Sequence, residues 1–86
     1  MTYSLKIKAS AAKDLARIER QHRLRLIEAI DALKANPHRG ANLKGDLSGL
    51  RRLRVGDYRI LYEIQAANLI VLIVRVAHRR DVYQSR

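Results

Sequence analysis

The residues of this 86-residue chain best suited to chemistry are arginines, and they crowd its second half. Arg51, Arg52 and Arg54 fall between Leu50 and Val55. Arg59 follows across Gly56-Asp57, and Arg75, Arg79 and Arg80 surround His78, with Tyr83 shortly after. Side chains alternate along an extended strand, so Arg52 and Arg54 share one face while Leu53 and Val55 take the other. Arg51 joins Leu53 and belongs near the strand's edge. Across the turn, Arg59 shares a face with Leu61 and Glu63, opposite Tyr58, Ile60 and Tyr62. Crowding like charges costs stability, which points to a use. The plainer alternative is a solvated face with Glu63 and Asp57 as counterions.

Several chemistries drop out. Gly40, Gly45, Gly49 and Gly56 are scattered and no Gly-Lys-Ser/Thr follows them, so there is no phosphate-binding loop. No His lies at metal-ligand spacing from an Asp or Glu, and no cofactor is expected. Cys is absent, which removes thiolate nucleophiles, disulfides and cysteine metal sites together. The few carboxylates offer no acid/base dyad. What remains is metal-free RNA cleavage, in which the substrate's own 2′-hydroxyl attacks the neighbouring phosphate. That reaction needs a cationic cradle for the phosphoryl oxygens and proton transfer to and from oxygen. Arginines supply the cradle but are poor general bases, because their pKa is too high. Proton transfer falls to Tyr83, to His78 or to the substrate's surroundings. Tyr83 could equally pack its ring on a sheet, and His22 and His38 read as surface residues.

Whole-chain charge agrees. Eighteen Lys and Arg against eight Asp and Glu give a formal net charge of +10, and 13 of the 18 are arginine. Such a surface attracts polyanions by neutralising phosphates, and an acidic protein equally well. A membrane partner is not expected, since no apolar helical face carries a basic rim. The longest apolar run, Leu69 to Val74, is far shorter than the roughly 20 residues that span a bilayer. Residues 1–8 alternate polar and apolar, unlike a signal peptide, so a cytoplasmic protein is expected. At 48% hydrophobic the chain should fold, with an aliphatic core because Trp and Phe are absent. A domain this small is marginal alone, so a partner covering its surface would add stability.

The positioning elements follow from periodicity. Residues 2–8 alternate as a half-buried strand. Ser10 reads as an N-cap to a helix bearing Ala11, Leu15 and Ile18. A second helix is expected from about Gln21 to Ala35, its stripe Leu26, Ile27, Ile30 and Leu33 flanked by Leu24. Asn36-Pro37-His38-Arg39-Gly40 stops it. Residues 38–49 read as a loop, in which Lys44 is a further candidate RNA contact. Strands at 50–55, 58–64 and 69–77 complete a β-α-α-β-β-β order. This is an α+β fold: an antiparallel meander sheet with a helical hairpin packed on one face, in a single domain over 1–86.

Leu-Arg-Arg-Leu-Arg-Val-Gly-Asp-Tyr-Arg-Ile-Leu-Tyr (50–62) and Val-Ala-His-Arg-Arg-Asp-Val-Tyr (76–83) resemble the signature of the RelE/ParE toxin superfamily. Ala-Ala-Lys-Asp-Leu (11–15) and Asn-Pro-His-Arg-Gly (36–40) fit it too. The resemblance implies the RelE-like form of this fold and the toxin half of a type II toxin–antitoxin pair. RelE-like members are metal-independent endoribonucleases that cut mRNA in the ribosomal A site. They are neutralised by a cognate antitoxin and reach operator DNA only through the antitoxin complex. By position, Arg59 matches the phosphate-stabilising arginine, Arg79 lies in the arginine-bearing segment after the last strand, and Tyr83 matches the tyrosine that stacks on or deprotonates the substrate. Arg52 and Arg54 hold the RNA backbone, with Arg51, His78, Arg80 and Lys44 completing the basic surface. Leu50 and Arg52 stand where the best-studied enzymes carry lysines, which keeps charge at one position but removes a proton shuttle. ParE-like members share the fold yet poison DNA gyrase without cutting anything, and a degenerate toxin would act only as a co-repressor.

Overall fold

Alternation of Leu5 and Ile7 with Ser4 and Lys6 yields β1 (Ser4–Ile7), the first element of a computed structural model that describes residues 2–80. Helix α1 (Ala9–Ala16) buries Ala11 and Leu15, which lie four residues apart and so on one face. Its N-cap is Lys8, not Ser10. Ser10 sits inside the first turn, where its hydroxyl donates to the Val74 carbonyl at 2.8 Å.

Helix α2 (Arg20–Ala32) buries Leu26 and Ile30, with Leu33 buried just after it. Ile27, expected in the same stripe, is 46% exposed, and Leu24 is 51% exposed. Each helical step turns the side chain by about 100°, so Ile27 is carried off the line of contact that Leu26 and Ile30 share. The helix also ends earlier than expected. Leu33, Lys34 and Ala35 bond three residues back instead of four, which tightens the last turn. Pro37 disfavours helical backbone at the residue before it, and Asn36 adopts φ −142°, ψ 76°.

The stretch expected to be all loop contains a 3₁₀ turn (Pro37–Arg39), a two-residue strand β2 (Ala41–Asn42) and a second 3₁₀ turn (Gly45–Leu47). Strands β3 (Arg51–Val55), β4 (Tyr58–Gln65) and β5 (Ile70–His78) follow. Leu69 takes a left-handed φ of 53° in the last turn, so β5 begins one residue later than its apolar run. The sheet order is β1-β5-β4-β3-β2. Strands β2 to β5 form the antiparallel meander, whereas β1 lies parallel to β5 at the far edge, making the sheet mixed.

One sheet face is covered. Leu53, Ile60, Tyr62, Val71, Ile73 and Val76 pack against Ala11 and Leu15 of α1 and against Leu26, Ile30 and Leu33. Tyr62 is completely buried, and its hydroxyl is satisfied twice. It donates to the Pro37 carbonyl at 2.7 Å and accepts from the Gly40 amide at 3.0 Å. Strand β5 carries a bulge: Leu61 pairs with Arg75 and Tyr62 with Ile73, leaving Val74 without a partner. Side chains of α1 satisfy the backbone there. Besides Ser10 on Val74, the Asp14 carboxylate accepts from the Val76 amide at 2.9 Å. Among the described residues no helix is long and apolar enough to cross a membrane.

Candidate nucleic-acid interface

The site is built on the hairpin of β3 and β4, whose turn Gly56-Asp57 is eased by a Gly56 φ of 59°. Register places Arg54 directly opposite Arg59, and Arg52 opposite Leu61. Directly opposed residues share a face, with Cβ atoms about 5 Å apart. Arg52, Arg54 and Arg59 therefore stand together, as alternation anticipated, on the face that the two helices leave uncovered. Arg54 is exposed; Arg52 and Arg59 are half-buried. On its other side Arg59 pairs with Ala77 of β5. Arg59 Nη1 approaches the Tyr58 carbonyl at 3.4 Å. Beneath this group, Leu61 is only 3% exposed yet lies outside the core cluster. It is an apolar floor shielded from the open side.

Of the two carboxylate residues first considered as counterions, Glu63 accepts from the Gln65 amide at 2.9 Å through its side chain, and Asp57 accepts the Arg79 amide at 2.7 Å through its backbone carbonyl. That last bond ties Arg79 to the β3–β4 turn, at the Arg54–Arg59 end of the hairpin. Arg79 and Arg80 are both exposed, and Lys44 is exposed just beyond β2. Tyr83 lies outside the described residues.

Two expected contacts are placed elsewhere. Arg51 alternates onto the covered side, opposite Tyr62, and its guanidinium braces the preceding loop. Nη1 donates to Asn42 Oδ1 at 2.7 Å, and Nη2 donates to the His38 carbonyl at 2.9 Å and to the Gly40 carbonyl. His78 pairs with Tyr58, also on the covered side, with its ring edge-on at 5.7 Å. Neither side chain shares the arginine face. Arg75 is likewise withdrawn: it forms a two-pronged ion pair with Asp14, Nε at 2.8 Å and Nη2 at 3.2 Å. Those hydrogen bonds raise its pKa further and keep it charged.

Arg39 went unrecognised in the sequence. It joins Arg52 and Arg54 around a shallow depression of about 310 Å³, floored by Gly40 and Ala41. Pairing of Ala41 with Arg52 brings it there, and a two-residue strand inside an irregular loop leaves no periodic signal. Among the described residues no three His, Asp or Glu side chains converge as a metal ion would require. The arrangement can grip successive phosphates and stabilise charge on one of them.

Comparison with known proteins agrees with this architecture. Residues 5–83 match the family model for the ParE toxin of the type II toxin–antitoxin system parDE. Toxin RelE of Mycobacterium tuberculosis is 38% identical over 84 residues, 95% of this chain and 87% of that protein. Toxin RelG of the same organism is 34% identical over 86 residues, 98% of this chain and 99% of its own. A solved RelBE toxin–antitoxin complex from that organism contains a chain that superposes with a TM-score of 0.85 at 32% identity, covering 92% of this chain and 100% of its own.

Proposed function

The chain belongs to the RelE/ParE toxin superfamily of type II toxin–antitoxin systems, and from that premise we propose that it is a ribosome-dependent mRNA endoribonuclease, restrained by a cognate antitoxin. The observation that carries this reading is the opposed Arg54–Arg59 pair, extended by Arg52 and Arg39, on the sheet face that α1 and α2 leave uncovered.

On this reading the substrate 2′-oxygen attacks the adjacent phosphorus. The O2′–P bond forms as the P–O5′ bond breaks, leaving a 2′,3′-cyclic phosphate and a 5′-hydroxyl. Arg59, directly opposite Arg54, stabilises the extra negative charge on the non-bridging oxygens. Arg52 and Arg54 hold flanking phosphates, since a planar guanidinium matches phosphate geometry. Arg79, tied to the hairpin turn, closes the cradle from one end. One proton must leave O2′ and another must reach O5′. His78 faces away from the arginines, so Tyr83 or a group of the ribosome takes that part.

A +10 chain suits an acidic antitoxin laid over the same face, and the RelBE relative was solved in complex with an antitoxin. Operator DNA is reached only through that complex, no membrane is involved, and the site of action is the cytoplasm, where ribosomes are. The match to the ParE family model favours one second reading, a non-enzymatic inhibitor of DNA gyrase. A translating extract separates them. The nuclease produces new mRNA ends at ribosome-occupied codons; intact mRNA alongside gyrase-linked DNA breaks supports the other.

A further inference from the structure

Across the hairpin turn from the arginine face lies a second concavity, of about 250 Å³. Leu26 and Val55 give it an apolar floor. Its walls are three rings. Tyr58 neighbours both His22, at 5.5 Å and 44° between planes, and His78, at 5.7 Å and 80°. All three rings are half-buried, so each keeps an edge toward the opening. Arg25 and Asp57 stand at the rim, a donor and an acceptor.

A floor of aliphatic carbon, aromatic walls and a mixed polar rim suit a flat ring carrying both donors and acceptors. The volume falls just below the roughly 300–1,000 Å³ of ordinary small-molecule pockets, which favours one such ring over a larger ligand. Single-stranded RNA is recognised in this manner, with unstacked bases laid on Tyr or His rings while cations hold the backbone. The neighbourhood supplies the rest. Val55 and Tyr58, which line the pocket, are the direct chain neighbours of Arg54 and Arg59. The two surfaces are thus opposite sides of one hairpin end. Between them Gly56 has, among the described residues, open space where a side chain would stand, which leaves a strand room to cross close to the turn.

We infer that this pocket receives the base of a nucleotide neighbouring the one held on the arginine face, with Tyr58 and His22 as the stacking surfaces. The inference rests on the reading of the chain as an RNA-binding toxin. It gives His22 a binding role and returns His78 to substrate binding on the opposite side of the hairpin from the arginines.

The three histidines allow a direct test on the intact chain. Imidazole proton resonances are followed by NMR during titration with adenosine or uridine 5′-monophosphate, and separately with ribose 5-phosphate. His22 and His78 should shift saturably with the nucleotides but not with the baseless sugar phosphate, while His38, exposed on the Pro37–Arg39 turn, stays fixed as an internal reference. His22→Ala should weaken nucleotide affinity about tenfold, within the range for stacking of one base on an aromatic ring. Equal responses to ribose 5-phosphate, or none at the two pocket histidines, overturn the assignment. Shifts at His22 and His78 without any mRNA cleavage uphold the pocket and remove the nuclease reading. Cleavage with both histidines unmoved removes the pocket alone.

Discussion

Gly40 and Tyr62 show how single residues hold the arginine face in register. A Cβ on Gly40 would lie 2.5 Å from the Arg52 carbonyl oxygen and 2.7 Å from the Tyr62 hydroxyl, closer than real contacts come. The backbone there is ordinary extended chain, so glycine is required by proximity and not by its φ. Gly40→Ala should destabilise the fold by about 2 kcal/mol, as overpacking of a tight contact does, seen as a lower urea midpoint. Because the collision falls on Arg52 itself, RNA affinity should drop as well. Tyr62→Phe keeps the ring but strands the buried Gly40 amide and the Pro37 carbonyl. A loss of about 1–2 kcal/mol in the same measurement is expected, and an unchanged midpoint would show the hydroxyl idle.

At the scale of elements, the bulge in β5 and helix α1 depend on one another. Ser10 and Asp14 satisfy the carbonyl of Val74 and the amide of Val76, and Asp14 also neutralises Arg75. Asp14→Ala leaves that amide and a half-buried guanidinium without their acceptor. It should cost about 2 kcal/mol and accelerate hydrogen exchange at Val76, whereas exchange unchanged from the parent would separate helix from bulge. Arg75 adds no pH dependence near neutrality. Its raised pKa contributes stability below the ordinary guanidinium value while Asp14 is charged, and that contribution is lost as pH rises through the still higher folded value. This dependence was invisible in the sequence, because the contact spans some 60 residues and a bulge leaves no trace in alternation. Ser10 looked like an N-cap for the same reason: serine near a helix start is a local cue, and a distant carbonyl claimed it. The strands of the meander and the arginine face were legible, since period-two alternation in 51–59 fixes which residues share a side. Ile27 and the true end of α2 were not: Ile27 turns off the line of contact that Leu26 and Ile30 share, and the last turn tightens before Pro37.

The whole molecule sets a strong positive charge against a small aliphatic core, and its behaviour toward RNA should follow salt. With Arg39, Arg52, Arg54 and Arg59 each neutralising one phosphate, log affinity for a short single strand should fall against log salt with a slope of about −3. Fluorescence anisotropy measures this, and a slope near zero would mean that the arginine face is not where RNA lies. Legibility at this scale was greatest for charge and family and least for the pocket: its members His22, Tyr58 and His78 are far apart in the chain, His22 read as a surface residue, and His78 was grouped with the arginines. The most direct test of the central claim compares mRNA cleavage by the parent chain and Arg59→Ala in a translating extract, with folding verified by denaturation. The expected result is cleavage at ribosome-occupied codons by the parent and a loss of at least about 100-fold in the variant, as for removal of a group that stabilises developing charge. Undiminished cleavage by a folded Arg59→Ala protein would contradict it.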